Sequence, residues 1–451
     1  MAKYHFIAIG GAVMHQLALH LKAQGNIVTG SDDAIFDPAK TNLAKANILP
    51  NELGWFPEKI TSNINAVILG MHAKADNPEL LQAQALNIPI YSFPAFIYET
   101  CKDKNRVVVA GSHGKTTITA MIMHILLQQK IDFDYLVGAQ LDGFEYMVKT
   151  SNTAKNIIIE GDEYLTSPLD LKSKFLHYHP NIAIISGIAW DHINVFPTFE
   201  SYLDAFKQFI LSIDKNGYLI YNEEDDVLIQ LVIDSNPSCN LIPYKAFNFV
   251  VEDEQTIINY HQQKIAIKVF GKHNLMNLKA AFEVAKLLGI DENDALNAIS
   301  TFKGAAKRLE LQYENIDKKY AVYRDFAHAP SKLKATVDAV KTQYPNRKII
   351  AVFEMHTYSS LQENFIHQYK NSLDSATIKL VFLDEAALKI KGKTGFDALY
   401  IQTNFGDDSI IVLNDAKALK ENILAQIELN SVLLLMSSGN IGGLTASDFK
   451  I

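Results

Sequence analysis

A chain of 451 residues, 48% hydrophobic and 20% charged, is too long for one core and has the composition of a globular protein of two or three domains. A net charge of −8 excludes the basic surface that nucleic acid needs, and two cysteines, Cys101 and Cys239, exclude a disulfide framework and a CxxC metal pair. No apolar run nears the roughly 20 residues of a membrane span, and the chain opens on a strand pattern without a signal-peptide core, so a cytoplasmic protein without membrane insertion is expected.

Residues 4–9 form a short apolar run that stops at Gly10-Gly11, and 14–23 read as a helix closed by Gly25. Residues 27–32 give a second strand with the polar tip Ser31-Asp32. This is a βαβ opening of Rossmann type, with a glycine turn and an acid about twenty residues later. Val13 interrupts the dinucleotide glycine set, so a nucleotide diphosphate fits this turn as well as a nicotinamide cofactor does, and a ligand-free scaffold stays open. Further strands follow at 66–70, with Met71-His72 at the carboxyl end, and at 88–91. The polar stretch 101–105 reads as a linker, and the first domain is taken as 1–103.

The apolar run 106–110 ends in Gly111-Ser112-His113-Gly114-Lys115-Thr116-Thr117 and passes into a helical pattern. A helix start after a glycine loop offers backbone N–H groups and a favourable dipole to phosphate. Lys115 has the reach for terminal phosphates and the Thr116 hydroxyl suits Mg²⁺. Only Ser112 and His113 separate the two glycines, fewer than in the general P-loop. The strand 156–160 ends in Glu160-Gly161-Asp162-Glu163, and 182–186 leads to Trp190-Asp191-His192. Acids at the carboxyl ends of buried strands stand where ligands bind in α/β sheets. His177-Tyr178-His179 puts two imidazoles on one face of an extended segment, without a third metal ligand nearby. An amphipathic helix covers 201–211, and 231–267 reads as a β-rich insert. In Gly271-Lys272-His273-Asn274-Leu275-Met276-Asn277, two amides three apart share a helix face and can pair with an adenine edge or cap the helix. The central domain is taken as 104–304.

In the third segment, 305–451, the strand 320–325 ends in Asp325-Phe326-Ala327-His328, 348–353 ends in Glu354-Met355-His356, and 432–436 ends in Ser437-Ser438-Gly439-Asn440. Alternating strands and helices predict a parallel sheet again, so the fold class is α/β throughout.

These motifs together resemble the ATP-dependent Mur ligases over nearly the whole chain. Gly111-Ser112-His113-Gly114-Lys115-Thr116-Thr117 is similar to the family's short G-T-x-G-K-T-T loop, which accounts for the spacing. Glu160-Gly161-Asp162-Glu163 resembles E-A-D-E, Asp191-His192 its D-H, 271–277 its adenine motif, and 325–330 its D-Y-x-H-H-P. The resemblance implies three domains: a Rossmann-like UDP-sugar domain, a central P-loop ATPase-like domain and a C-terminal Rossmann-like domain completing the ATP site. It implies ATP and Mg²⁺, with Lys115, Glu160 and His192 catalytic and Thr116, Glu160 and His192 on metal. ATP would meet Gly111, Ser112, His113, Gly114, Lys115, Thr116, Thr117, His273, Asn274, Asn277, Arg308, Asp325 and His328. The UDP-sugar would meet Gly10, Gly11, Ser31, Asp32 and His72, and the amine substrate His356, Ser359 and Asn440. Lys207, fifteen residues after His192, has the register of a lysine that some members carbamylate.

Two branches are close. One adds L-alanine to UDP-N-acetylmuramate. The other adds the recycled tripeptide L-Ala-γ-D-Glu-meso-diaminopimelate through an acyl phosphate. Gly30-Ser31-Asp32, the segment 172–178 and 436–443 resemble the tripeptide branch, and 354–360 lacks both arginines of the alanine branch's E-P-H-R-Y-T-R. A nicotinamide oxidoreductase and a nucleotide-binding protein without ligase activity are the alternatives of other classes.

Overall fold

The computed structural model describes residues 1–451 apart from 72, 142, 168, 191–194, 305–307, 358, 364, 385–387 and 389–394. The chain divides into two compact units, one of residues 1–245 with 276–299, the other of 246–275 with 300–451.

The first unit holds two sheets. The N-terminal one is parallel, in the order Ile27–Ser31, Lys3–Ile7, Ala66–Leu69, Ile90–Ser92. Its opening strand turns at Gly10-Gly11 into the helix Ala12–Ala23, two residues ahead of the predicted start. The second sheet runs Asn240–Tyr244, Tyr218–Asn222, Ile182–Ile185, Asn105–Ala110, Asn156–Glu160, Phe133–Leu136, Val148–Lys149 and is parallel except for its last pair. Asn105–Ala110 lies at its middle with Val107, Val108 and Val109 buried, as a strand covered on both faces requires. The helices Lys115–Gln128 and Phe199–Leu211 pack on it, the latter begun by a reciprocal Thr198/Ser201 cap. Phe6, Leu17 and Ile97 share one continuous buried cluster with Val108, Ile159 and Phe206, so the two sheets rest on a common core.

Two expectations change here. Residues 231–235 belong to the helix Asp226–Ser235, so the β-rich stretch begins only at Asn240. The segment around His177 is no extended strand: Lys174–His177 is a 3-10 turn after a hairpin of Leu165–Ser167 and Asp170–Ser173. Burial of Phe175, stacked on Phe209 at 4.6 Å, closes that turn.

In the second unit the antiparallel strands Phe249–Glu252, Gln255–Tyr260 and Gln263–Ile267 pack beside the helix Pro330–Gln343, with Thr256 Oγ1 donating to Gln343 Oε1 at 2.7 Å. Its main sheet runs Glu310–Asn315, Tyr320–Asp325, Ser431–Met436, Lys348–Glu354, Ile378–Phe382, Ile411–Leu413. The first pair is antiparallel, which corrects the all-parallel expectation. Glu310–Asn315 is an edge strand with no fully buried residue and a register shift between Leu311 and Tyr313. Among the described residues no helix is long and apolar enough to cross a membrane.

Candidate functional site

The central strand delivers the chain at Ala110 into a loop whose backbone only glycine tolerates at two points. Gly111 has φ +120°, and a Cβ there would lie 2.8 Å from the Ser186 amide nitrogen. Gly114 has φ +82° and forms the left-handed N-cap of Lys115–Gln128, where a Cβ would collide with Asn277 Oδ1. The loop is braced from the end of Ile182–Ile185. Ser112 N donates to Gly187 O at 3.0 Å, Ala189 N donates to Ser112 Oγ at 2.7 Å, and Ser112 Oγ lies 3.0 Å from Tyr202 OH. The Ser186 hydroxyl donates to His113 O. His113 therefore contributes its carbonyl to the bracing.

Lys115 Nζ donates to Gly111 O at 2.7 Å and pairs with Glu163 Oε2 at 2.8 Å. Burial alone would drive the ammonium pKa down, but Glu163, with Asp162 and Glu160, outweighs it and holds the pKa above its ordinary value. Thr116 Oγ1 donates to Glu160 Oε1 at 2.8 Å, and Gly138 N fixes the other carboxylate oxygen at 2.8 Å. The Thr116 and Glu160 oxygens thus stand side by side next to the lysine. Mg²⁺ takes oxygen ligands and only one or two from protein, so this pair fits it. Among the described residues no group of three or more His, Cys, Asp or Glu suits a metal. Asp191 and His192 lie outside the described residues.

The adenine motif opens the helix Lys272–Leu287. Asn277 lies against Gly114. Asn274 Nδ2 donates to Phe270 O at 2.9 Å, and His273 is half-buried, its pKa lowered by desolvation with Asp325 opposing. Asp325 accepts from Leu309 N, from Ala327 N at 2.7 Å and from Thr336 Oγ1 at 3.3 Å, a largely structural set of partners. The Arg308 guanidinium lies 5.0 Å from the Phe326 ring, and His328 meets the same ring edge-on at 5.4 Å. Thr117 is buried in the first turn of its helix.

At the N-terminal turn, Gly10 N donates to Asp32 Oδ2 at 2.7 Å, and burial raises the Asp32 pKa. Ser31 is fully buried, its carbonyl receiving Ala8 N and Ile9 N. Gly11 caps the following helix without a side-chain bond. His72 lies outside the described residues. The expected amine-site residues divide. His356 Nδ1 is 3.9 Å from Glu354 Oε2, whereas Ser359 and Asn440 are exposed. Lys207 stands on the exposed face of Phe199–Leu211, away from the face carrying Phe206 and Phe209. His177 pairs with Asp170 at 2.9 Å.

Sequence reasoning missed the partners of the loop: Ser186, Tyr202 and the assignment of Glu163 to Lys115. It also missed Arg324, and that the strand ends Glu354 and Ser437 cluster about Gly439 with it. Polar residues ending adjacent apolar strands were the available signal.

Sequence profiles match this chain as the Mur ligase family catalytic domain over 3–105, the Mur ligase middle domain over 109–285 and the Mur ligase glutamate ligase domain over 307–439. The UDP-N-acetylmuramate–L-alanine ligase of Caldicellulosiruptor saccharolyticus is 33% identical, covering 95% of this chain and 96% of that protein. That of Clostridium acetobutylicum is 31% identical, covering 86% and 84%. Among solved structures, the UDP-N-acetylmuramate-alanine ligase of Thermotoga maritima superposes with a TM-score of 0.71 at 22% identity, covering 98% and 96%. The murein peptide ligase of Psychrobacter arcticus gives 0.62 at 22% identity, covering 100% and 98%. At these identities the two structures establish the shared fold.

Proposed function

This chain belongs to the Mur ligase family, and from that premise we propose that it joins the tripeptide L-Ala-γ-D-Glu-meso-diaminopimelate to UDP-N-acetylmuramate. It is an ATP-dependent, ADP-forming ligase that works with Mg²⁺. The observation that carries the chemistry is the pairing of Lys115 with Glu163 beside Thr116 with Glu160. Ligation must bring a carboxylate to a polyphosphate, and two anions meet only where their charge is offset. Lys115, locked to the loop carbonyl, holds a positive charge where terminal phosphates would lie. Backbone N–H groups at the start of Lys115–Gln128 add the helix dipole. Mg²⁺, held by Thr116 and Glu160, supplies charge neutralisation when bound. The muramoyl carboxylate would be activated as an acyl phosphate, and the peptide amine would displace phosphate from it.

Two observations support the tripeptide as acceptor. The strand end at 354–360 carries neither arginine of the alanine branch. The segment 172–178, similar to the tripeptide branch, folds as a defined turn tied to the acid motif by Lys174 and Asp162 at 2.7 Å. The curated relatives quoted above favour a second reading, L-alanine as acceptor. Phosphate release with ATP and UDP-N-acetylmuramate, comparing L-alanine with the tripeptide, decides between them. Release with the tripeptide is the expected result, and release with alanine alone overturns it.

A further inference from the structure

Within the first unit, the helix Ala12–Ala23 lies against Val148–Lys149, the edge strand of the second sheet. An edge strand leaves backbone polar groups unpaired, and here side chains of that helix take them. Met147 N donates to Gln16 Oε1 at 3.2 Å, and one helical turn on His20 Nε2 accepts from Thr150 N at 2.9 Å. Gln16 is 6% exposed, and both ends of its amide are engaged. A backbone N–H can only donate, so the amide oxygen faces Met147 and the amide nitrogen faces His15 Nε2 at 3.0 Å. That nitrogen donates, so His15 Nε2 accepts and the ring proton sits on Nδ1. His15 Nδ1 lies 2.9 Å from Gly11 O, a carbonyl that can only accept. Donors and acceptors along the row match in a single tautomer. Burial, which lowers the His15 pKa, keeps the ring in that neutral form.

The other end of the row reaches the acid beside the glycine loop. Val137 N donates to Met147 O at 2.9 Å and closes the loop that begins at Gly138. Gly138 N donates to Glu160 Oε2 at 2.8 Å, and a Cβ on Gly138 would lie 2.9 Å from Glu160 Oε1. The same Oε1 accepts from Thr116. Gln16 is thus joined to Gly11 through His15, and to Glu160 through one loop closure.

We propose that Gln16 is a positioning residue linking two ligand sites, so that a sugar nucleotide at Gly10-Gly11 tightens the hold of Glu160 and Thr116 on Mg²⁺·nucleotide, and the reverse. The linkage rests on the reading of Gly10, Gly11 and Asp32 as the sugar-nucleotide turn. Two sites are coupled when both ligands stabilise one shared element. A ligand at the turn orders Gly11 and, with it, His15. A metal ion on Glu160 orders Gly138 and, with it, Met147. Each ligand therefore removes freedom that the other would otherwise have to remove, and Gln16 is the side chain bonded to both arms.

The test is calorimetry on the intact protein. It measures the Kd of Mg²⁺ with a non-hydrolysable ATP analogue, with and without saturating UDP-N-acetylmuramate, and with the acceptor left out so that nothing turns over. In the wild type the sugar nucleotide should tighten the analogue about fivefold or more, and the analogue should tighten the sugar nucleotide by the same factor. Gln16→Met keeps the bulk of the side chain and removes its amide, and the two Kd values should then agree within about twofold. His15→Phe keeps the Met147 bond, cuts the one to Gly11 and should have the same effect. Gln24→Met removes another bond from this helix end, the one to Thr150 O, and should leave the wild-type factor in place. No tightening in the wild type, an undiminished factor in either Gln16→Met or His15→Phe, or an equal loss in Gln24→Met overturns the linkage and leaves the ligase reading intact. Asp32→Ala with an unchanged affinity for UDP-N-acetylmuramate overturns the sugar-nucleotide turn itself, and the linkage with it.

Discussion

Lys115 Nζ lies 2.8 Å from Glu163 Oε2, so the loop lysine is anchored by an acid that follows the neighbouring strand, not by its own loop alone. The bond fixes the side chain before any nucleotide arrives, and preorganised charge is what an anion-activating site needs. Lys115→Ala should lower ligation by about a thousandfold or more. Glu163→Gln keeps the lysine but loosens it, and turnover should fall by about a hundredfold. Coupled release of phosphate and ADP measures both, and wild-type rates in Lys115→Ala would refute the role.

Thr116 and Glu160 act as a pair, because the hydroxyl proton is already directed at the carboxylate and its lone pairs are left outward. Thr116→Ala and Glu160→Gln should each raise the Mg²⁺ concentration for half-maximal activity about tenfold or more. Activity should vanish with a chelator and return on adding Mg²⁺. A Mg²⁺ requirement unchanged in both variants would count against the pair.

Gly114→Ala combines a left-handed backbone with a collision at Asn277. The conformation alone costs about 1–2 kcal/mol. The collision must further displace either the loop or the asparagine. Nucleotide affinity by calorimetry should drop sharply, and Asn277→Ala in the same chain should restore part of it by clearing the space. Failure of the second substitution to help would place the damage in the backbone alone.

His20 accepts the Thr150 amide through Nε2 at 2.9 Å, and burial lowers its pKa, with contacts to Thr150 O and Asp134 opposing. His15 shifts the same way by burial. An unfolded histidine takes up a proton near pH 6.5 that these folded ones resist. Their stability contribution is thus fully present above about pH 6.5 and is lost as pH falls through the lowered folded values. Urea midpoints should decline between about pH 7 and pH 5, before most carboxylates protonate, and His20→Gln should flatten that decline. An unchanged slope in the variant would exclude His20 as a contributor.

Local pattern carried much of the central element. A β-branched run, a glycine, a lysine and a helical period are consecutive in sequence, and the strand Asn105–Ala110, the loop and the helix Lys115–Gln128 follow from short-range sterics and burial. The strand ends at Glu160, Ser186, Asp325, Glu354 and Ser437 were legible in the same way, since apolar runs stop visibly at polar residues. The helix Asp226–Ser235 was missed because a short run of Val, Leu and Ile suits helix and strand alike.

The sequence by itself determined which residues close each strand and that a glycine loop carrying a lysine joins the central strand to its helix. Only the tertiary structure decided which of those ends meet. Sheet order places Asn156–Glu160 beside Asn105–Ala110, and so aims Glu163 at Lys115 and Glu160 at Thr116. It likewise places Ser431–Met436 between Tyr320–Asp325 and Lys348–Glu354, joining Arg324 to Glu354 through Gly439. Strand neighbours are selected by the packing of whole faces across long intervals of chain, and no local periodicity records that choice.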